Sequence, residues 1–491
     1  MKTGRATAAA LVSIIAGTAL AQPPRSGPAL SRDATGSIGN YSTNGNIDTT
    51  GPFFQSLGTN GRSCGSCHVA GAAFGLSADE VRQRFDTTHG RDPVFASIDG
   101  ANCPSVARGD RKGHSLLIKS GLIRVFLDLP ANAQFTISVV HDPYGCALTI
   151  DPATGQTVVS VYRRPLPTTN LSFLSAVMFD GRETIAPLTS SGTFLANLMA
   201  DLTHQALDAT NTHAQAATPP SSDQLAQIVA FELGIFSAQA RDDRAGDLTD
   251  DGAQGGPVAL AGANYYPGIN DSLGNDPSGA AFNPVAMTLY AAWGRQSPGM
   301  TPADGGHKAQ REQIAAGETV FNTAPITITN VRGLNDNAAL GSPASISGHC
   351  TTCHDAPNIG DHSLPLALDI GTGHSPISSF ESDPQIAAGL NELGMPDLPV
   401  YLISGCPSPF GSGTAPSFYT SDPGKALITG QCSDLNRIKG PILRGLAARA
   451  PYFHNGAART LDELVNFYNE RFQMNLTGKQ KSDLVAFLNA L

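Results

Sequence analysis

The spacing of apolar and polar residues along the chain predicts several amphipathic helices. Residues 309 to 321 have helical composition and apolar positions on one face. Thr460 and Thr477 are each followed three positions later by Glu or Gln, a capping box that opens a helix. A further helix is predicted to begin after Ser221, with apolar positions that continue to Phe236.

A different pattern, with alternating and β-branched residues, lies between residues 115 and 162. It predicts strands over 135–140, 147–150 and 157–162, with a turn at 151–155. We therefore expect a mainly α fold with a small β insertion.

Length and composition indicate two domains. A chain of 491 residues exceeds what one hydrophobic core usually supports. Glycine-rich segments at 22–60 and 241–280 predict surface loops. A linker predicted at 297–307 separates an N-terminal domain, 22–296, from a C-terminal domain, 308–491.

The first residues have the organisation of an export signal. Lys2 and Arg5 precede an apolar run of small residues, and Ala19-Leu20-Ala21 provides a cleavage site. This is typical of a secretory signal peptide and too short for a membrane span. We expect residues 1–21 to be removed and the protein to be periplasmic or secreted, with no membrane span.

The formal charge of −10 bears on possible partners. An acidic surface disfavours binding to nucleic acid and to anionic membranes. It favours a basic partner, such as a small electron-donor protein of the cytochrome or cupredoxin kind.

Eight cysteines divide into two groups. Four lie in two Cys-x-x-Cys-His motifs, Cys64 to His68 and Cys350 to His354. The other four can pair in three ways in an oxidising compartment. The pairing that keeps each disulfide within one half of the chain joins Cys103 to Cys146 and Cys406 to Cys432. The alternative is that one or two of these four cysteines are free thiols.

Each Cys-x-x-Cys-His motif predicts a covalently attached c-type haem. Two thiols about one helical turn apart can add to the two vinyl groups of one porphyrin. Cys64 and Cys67, and likewise Cys350 and Cys353, would form these bonds. The next residue, His68 or His354, would then be the proximal iron ligand. A redox-active dithiol needs a strand–helix context that neither motif shows, and a zinc site would need two distant pairs to converge.

Several segments resemble the bacterial dihaem cytochrome c peroxidase and MauG superfamily. They are Phe179-Asp180-Gly181-Arg182, Asp422-Pro423-Gly424, the Lys-Gly-Pro-Ile-Leu-Arg stretch 439–444, and residues 447–467, which contain Ala-Pro-Tyr-Phe-His-Asn-Gly. The resemblance covers the chain well from about Thr301 to its C-terminal end. In the first domain it is limited to the haem motif and residues 179–182.

The resemblance implies two cytochrome c-type domains with different tasks. The N-terminal haem would be the reactive one, with a vacant or displaceable sixth position. The C-terminal haem would have two protein ligands and relay electrons. Members of the superfamily often hold a calcium ion between the domains, so calcium is an expected further component without assigned ligands.

The sixth ligand of the C-terminal haem departs from the expected pattern. The peroxidases usually have a Met shortly before the Lys-x-Pro-x-Leu-Arg stretch, but residues 433–438 contain none. His454 is the favoured substitute, and bis-His ligation would lower the reduction potential. Met395, followed by Pro, is the rival, and neither residue being a ligand is the third alternative.

The N-terminal pocket also departs from the pattern of the peroxidases. Those enzymes have a catalytic Glu downstream of the segment that corresponds to residues 179–182 of this chain. Here no Glu lies between Glu183 and Glu232, and Phe194 and Met199 occupy the stretch. An apolar pocket lined by Phe194 suits oxygen or an apolar substrate better than peroxide, as in dihaem rubber oxygenases. Phe179 replaces a Trp that mediates electron transfer in the family, so direct tunnelling is expected.

Two further residues are candidates for the N-terminal haem. His114 is the best candidate for a distal residue that ligates iron or donates to bound oxygen. Arg182 would hold a haem propionate or the domain interface, unless it only pairs with Asp180. The histidines at 89, 141, 204, 213, 307, 349, 362 and 374 have no readable role.

The leading functional hypothesis is a dihaem oxidoreductase of the peroxidase and MauG type that uses a small-molecule oxidant. An oxygenase acting on an apolar substrate is the second hypothesis. A non-catalytic electron carrier, with both irons six-coordinate, is the third.

Overall fold

The computed structural model describes residues 27–189, 192–294, 306–331, 333–373, 393–406 and 418–491. The helices are α1 Ala78–Thr88, α2 Ser115–Ser120, α3 Phe194–Thr212, α4 Ser222–Gly234, α5 Gly256–Ala261, α6 Ala291–Gly294, α7 Lys308–Thr323, α8 Ala426–Thr429, α9 Leu461–Arg471 and α10 Gly478–Asn489. The strands are β1 Ala29–Arg32, β2 Gly36–Ser42, β3 Ile123–Asp128, β4 Thr136–His141, β5 Leu148–Ile150, β6 Thr157–Arg163, β7 Ile235–Asp242, β8 Gly246–Asp247, β9 Ile326–Thr329, β10 Ser345–Gly348, β11 Ala367–Leu368, β12 Val400–Ser404, β13 Phe418–Thr420 and β14 Ile438–Lys439.

The predicted helices are confirmed, because their starts are encoded locally. Ser221 and Thr477 both form full capping boxes, with Gln224 and Gln480. Thr460 caps α9 through the Glu463 amide, while the Glu463 carboxylate accepts from the Arg459 amide at 2.7 Å. Helix α7 coincides with the predicted 309–321 segment within two residues.

The expectation of a mainly α fold is wrong. The chain is about 31% helix and 16% strand, which makes it a mixed α/β fold. The strands predicted at 135–140, 147–150 and 157–162 exist as β4, β5 and β6. They do not form a self-contained insertion, because β4 pairs antiparallel with β12, which comes from the other half of the chain.

Sequence analysis missed a buried strand that pairs with a distant part of the chain. Strand β2, in the segment expected to be a surface loop, is buried along its whole length and pairs with β7. Most residues of β2 are small or polar, so the strand lacks the apolar pattern that predicts a buried strand. Inside the sheet, the Ser237 hydroxyl donates a hydrogen bond to Oδ1 of Asn40 at 2.6 Å. The helix predicted to reach Phe236 ends at Gly234, where β7 begins.

Helices α6, α7, α9 and α10 enclose the core of the C-terminal half. Helices α7 and α10 approach closely at Gly317, where a Cβ would lie 2.0 Å from the Asp483 carbonyl oxygen. The chain end joins the two halves, because the Leu491 carbonyl accepts from the amides of Gln239 and Gly445.

Two predictions concern residues outside the described ranges in whole or in part. The predicted signal peptide, 1–21, lies within the undescribed residues 1–26, and most of the predicted linker, 297–307, lies within 295–305. The domain boundaries therefore stay predictions. Among the described helices, none has both the length and the apolar character needed to cross a bilayer.

Candidate functional site

The two Cys-x-x-Cys-His motifs have the same local conformation. Each begins with a one-turn 3-10 helix, Cys64–Ser66 or Cys350–Thr352. The amide of the following histidine donates to the first cysteine carbonyl, at 3.0 Å for His68 and 3.1 Å for His354. Both cysteines of each motif are free thiols facing a cavity.

Both motif histidines are oriented for metal binding. The Nδ1 atom of His68 lies 3.1 Å from the Phe74 carbonyl oxygen, and that of His354 lies 2.8 Å from the Gly360 carbonyl oxygen. A carbonyl partner requires Nδ1 to carry the proton, which leaves Nε2 as the ligand nitrogen. Burial lowers the pKa of His68 to about 4 and also lowers that of His354, so both rings are neutral.

The four remaining cysteines form the two predicted disulfides. Cys103 bonds to Cys146, and Cys406 bonds to Cys432. The alternative with free thiols among these four is therefore wrong. Only the motif cysteines keep free sulfur atoms, as covalent haem attachment requires.

The cavity around Cys350, Cys353 and His354, here called the C-terminal cavity, has mainly apolar walls. They include Phe321, Ile328, Leu464, Tyr468, Leu484 and Leu488.

His454 also lines the C-terminal cavity. Its Nε2 is buried and has no hydrogen-bond partner in the described structure, although Asp422 Oδ2 lies 3.5 Å away. Burial lowers the pKa of His454 to about 4, despite the raising effect of Asp422. A neutral imidazole with an unpartnered nitrogen fits an iron ligand. Met395 is not among the residues that line this cavity in the described structure.

The cavity around Cys64, Cys67 and His68, here called the N-terminal cavity, combines apolar walls with ionisable groups. Leu171, Leu174 and Val177 contribute apolar surface. Arg182, His213 and Glu232 contribute ionisable groups.

Glu232 is a site residue that sequence analysis missed. Its side chain is 3% exposed, and Oε2 has no hydrogen-bond partner in the described structure. Burial raises the pKa of Glu232 to about 8. Helix α4 brings this carboxyl back to the cavity, although Glu232 comes well after Arg182 in the sequence. The available signal was a carboxylate on the same helix face as Leu225 and Ile228.

His114 does not join the N-terminal cavity. It is fully buried and absent from the residues described as lining that cavity. Its Nδ1 lies 2.8 Å from the Asp110 carbonyl oxygen, and its Nε2 lies 3.1 Å from that of Phe95. Both nitrogens therefore have backbone partners, and the distal role stays a prediction that these contacts do not favour.

Phe194 lies away from the cavity as well. It begins α3 and packs on Tyr265, with ring centroids 6.0 Å apart. Met199 is 46% exposed. The part of α3 that lines the cavity is its second half, around Gln205 and Ala209, so the predicted Phe194 wall is not favoured.

The Phe-Asp-Gly-Arg and Asp-Pro-Gly segments meet at one buried arginine. Arg163 donates to Asp422 through Nε at 2.6 Å and Nη2 at 2.9 Å, and its Nη1 donates to Asp180. Arg182 donates to both oxygens of Asp180 at 3.1 Å while it lines the N-terminal cavity. Arg182 thus pairs with Asp180, and its predicted role in holding a haem propionate stays a prediction.

The two cavities share a wall that includes Phe179, Lys439, Arg164 and Arg449. Lys439 donates its amide to the Phe179 carbonyl at 2.7 Å. Arg164 donates to the carbonyls of Ser120 and Arg449 at 3.0 and 2.8 Å.

The arginines of this wall lack anionic partners. The described contacts of the Arg164 and Arg449 guanidinium groups are to backbone carbonyls alone. Burial lowers the pKa of Arg164 to about 9 and that of Arg449 to about 10. A buried cation without an anion is costly. Haem propionates would supply the missing negative charge for both.

No family model matches the chain. It is 33% identical to a cytochrome-c peroxidase, IdrP2, of Denitromonas iodatirespirans over 29% of this chain and 36% of that protein. It is 36% identical to the cytochrome c551 peroxidase of Nitrosomonas europaea over 16% of this chain and 25% of that protein. The chain thus spans about a third or less of the length of these curated relatives.

A solved structure of a MauG-like protein associated with microbial copper homeostasis aligns with 90% of this chain and 87% of its own. The TM-score is 0.32 and the sequence identity is 14%. The curated relatives imply c-type haem as the cofactor.

Proposed function

We propose that the chain, which is similar to cytochrome-c peroxidases over part of its length, is a dihaem oxidoreductase that reduces a peroxide. The proposed reaction centre is the N-terminal cavity. Electrons would enter at the C-terminal cavity from a small basic donor protein outside the cytoplasm.

The proposal assigns each haem to specific residues. Cys64 and Cys67 would form the thioethers of the first haem, with His68 as the iron ligand. Cys350, Cys353, His354 and His454 would hold the second. Bound haem supplies redox-active iron at each position. Free thiols, oriented imidazoles and the uncompensated Arg164 and Arg449 support this fit.

The observation that carries the proposal is a buried carboxyl, Glu232, that lines the N-terminal cavity, whereas no carboxyl is among the described residues that line the C-terminal cavity. Reduction of hydrogen peroxide to two water molecules consumes two electrons and two protons, so the reaction centre needs groups that move protons. The N-terminal cavity contains Glu232, with a pKa raised to about 8 by burial. A carboxyl that is protonated at neutral pH can donate the proton that the leaving oxygen needs.

The C-terminal cavity supports a relay function. Its walls are mainly apolar, and His454 offers a second imidazole to the iron. If His354 and His454 both held the iron of the second haem, that haem would relay electrons and would not bind an oxidant. Phe179 lies in the shared wall, and because phenylalanine is hard to oxidise, electrons would tunnel past it rather than reside on it.

An oxygenase that acts on an apolar substrate is the second candidate. The apolar surface from Leu171, Leu174 and Val177 supports it. Glu232 argues for peroxide, because cleavage of the O–O bond uses a proton donor that an apolar substrate does not require.

The test is a spectrum of the half-reduced holoprotein with and without carbon monoxide, combined with turnover of a reduced cytochrome by peroxide. We expect carbon monoxide to bind one haem, and Glu232→Gln to lower turnover roughly 100-fold. Glu470→Gln, at an exposed position on α9, is the control. Oxygen uptake with an alkene or a hydrophobic polymer would establish the oxygenase instead. Two haems that bind no carbon monoxide would leave only electron transfer.

A further inference from the structure

His213 was given no role by sequence analysis, yet it lines the same cavity as His68. It follows the C-terminal end of α3. Its Nδ1 is hydrogen bonded to the Asp99 carboxylate. A carboxylate partner places the proton on Nδ1 and leaves Nε2 as the nitrogen that can accept one.

Asp99 is held in place by Arg62 as well as by His213. The carboxylate is 1% exposed, and its other oxygen accepts from Arg62. Burial alone would raise the pKa of Asp99, but Arg62 and His213 hold it below its ordinary value. Arg62 also donates to the carbonyls of Pro93 and Val94 at 2.8 and 2.6 Å. The carboxylate is therefore ionised and immobile.

The position of His213 suits proton exchange. A positive charge on His213 lowers the pKa of His68, so the two rings lie within electrostatic reach of each other. The His213 side chain is 33% exposed, which gives the ring a route to solvent. His204, on the same helix, also pairs through Nδ1 with a carboxylate, Glu183, at 2.7 Å. It does not line the cavity in the described structure.

We propose that His213, oriented by Asp99, is the base that removes the proton from a weakly acidic ligand entering the N-terminal cavity. This inference rests on the proposed function, since it adds a residue to the same reaction centre. Asp99 is the positioning residue. His213 replaces His114 as the histidine assigned to this cavity.

The proton balance for hydrogen peroxide is complete. Nε2 of His213 takes the proton of one hydroxyl, and Glu232 donates its own proton to the oxygen that leaves as water when the O–O bond breaks. His213 then returns its proton to the remaining oxygen. The small donor protein of the proposed function supplies the two electrons. Glu232 and solvent supply the two protons that are consumed, and the remaining oxygen becomes the second water.

Cyanide binding isolates this step from redox turnover. Hydrogen cyanide enters as a neutral acid and must lose its proton to bind ferric iron, so the cavity base sets the association rate. We expect His213→Gln to slow cyanide association about 100-fold, which is the low end for a lost general base. The resting optical spectrum should not change. Asp99→Asn should slow association in the same direction.

His204→Gln is the matched control and should bind cyanide within about twofold of the wild-type rate, because it lacks contact with the cavity. A wild-type rate in His213→Gln would overturn the proposal. A change from low to high spin in the resting His213→Gln protein would also overturn it, since His213 would then be an iron ligand. A wild-type protein that binds no cyanide would contradict the proposed function itself, and the inference with it.

Discussion

Glu232 makes the stability of the protein depend on pH in a defined direction. Burial raises the pKa of this carboxyl to about 8 in the folded state, while an unfolded chain has the ordinary value of about 4.5. Between these values the folded state holds one proton more than the unfolded state. Stability contributed by the neutral carboxyl is therefore complete below pH 4.5 and is lost as pH rises toward 8.

The size of this pH effect follows from the difference of one bound proton between the folded and the unfolded state. Each pH unit inside this window costs about 1.4 kcal/mol of unfolding free energy. From pH 5.5 to pH 7.5, the wild type should lose roughly 2.7 kcal/mol more than Glu232→Gln, whose amide does not titrate. The side chain is 3% exposed, so solvent screening is small.

Equilibrium denaturation of the holoprotein in urea at the two pH values measures this difference. Glu470→Gln, on the surface of α9, should follow the wild type at both pH values. Parallel pH dependence in wild type and Glu232→Gln would refute the burial argument. It would show that Glu232 ionises normally in the folded protein.

Three other perturbations have definite outcomes. His454→Ala should convert one low-spin haem to high spin in the resting spectrum, because it removes the proposed second imidazole; an unchanged spectrum would contradict that ligation. Asp422→Asn should lower the unfolding free energy by about 3–5 kcal/mol in urea denaturation, because it leaves the buried Arg163 short of an anion, and wild-type stability would refute the pairing. Replacing Cys103 and Cys146 by Ser should lower the unfolding free energy by up to about 4 kcal/mol, because the disulfide closes a loop with a sequence separation of 43 residues. Wild-type stability of this variant under oxidising conditions would show that the disulfide does not stabilise the fold.

Features that depend on neighbouring residues could be predicted from the sequence. The caps at Ser221 and Thr477, the strand β6 and both disulfide pairs follow from short-range signals or from the division into halves. The two haem motifs belong to the same group, since each short motif contains both thiols and the imidazole that the chemistry needs.

Features that depend on distant pairing could not be predicted. Strand β2 is polar and small-sided, and only its pairing with β7, far along the chain, explains its burial. Glu232 and His213 reach the N-terminal cavity through the packing of α3 and α4, which no local pattern encodes. His114 was the predicted distal residue of the N-terminal haem, but in the fold its two ring nitrogens lie against the backbone carbonyls of Asp110 and Phe95.

In the proposed function four cysteine sulfurs hold two haems, and His68 and His354 are the iron ligands. The most direct measurement is the pyridine haemochrome spectrum of protein purified from a host that matures c-type cytochromes. It should show two thioether-bound haems per chain, and one after Cys350→Ala with Cys353→Ala. A wild-type value of zero or one per chain would contradict the account.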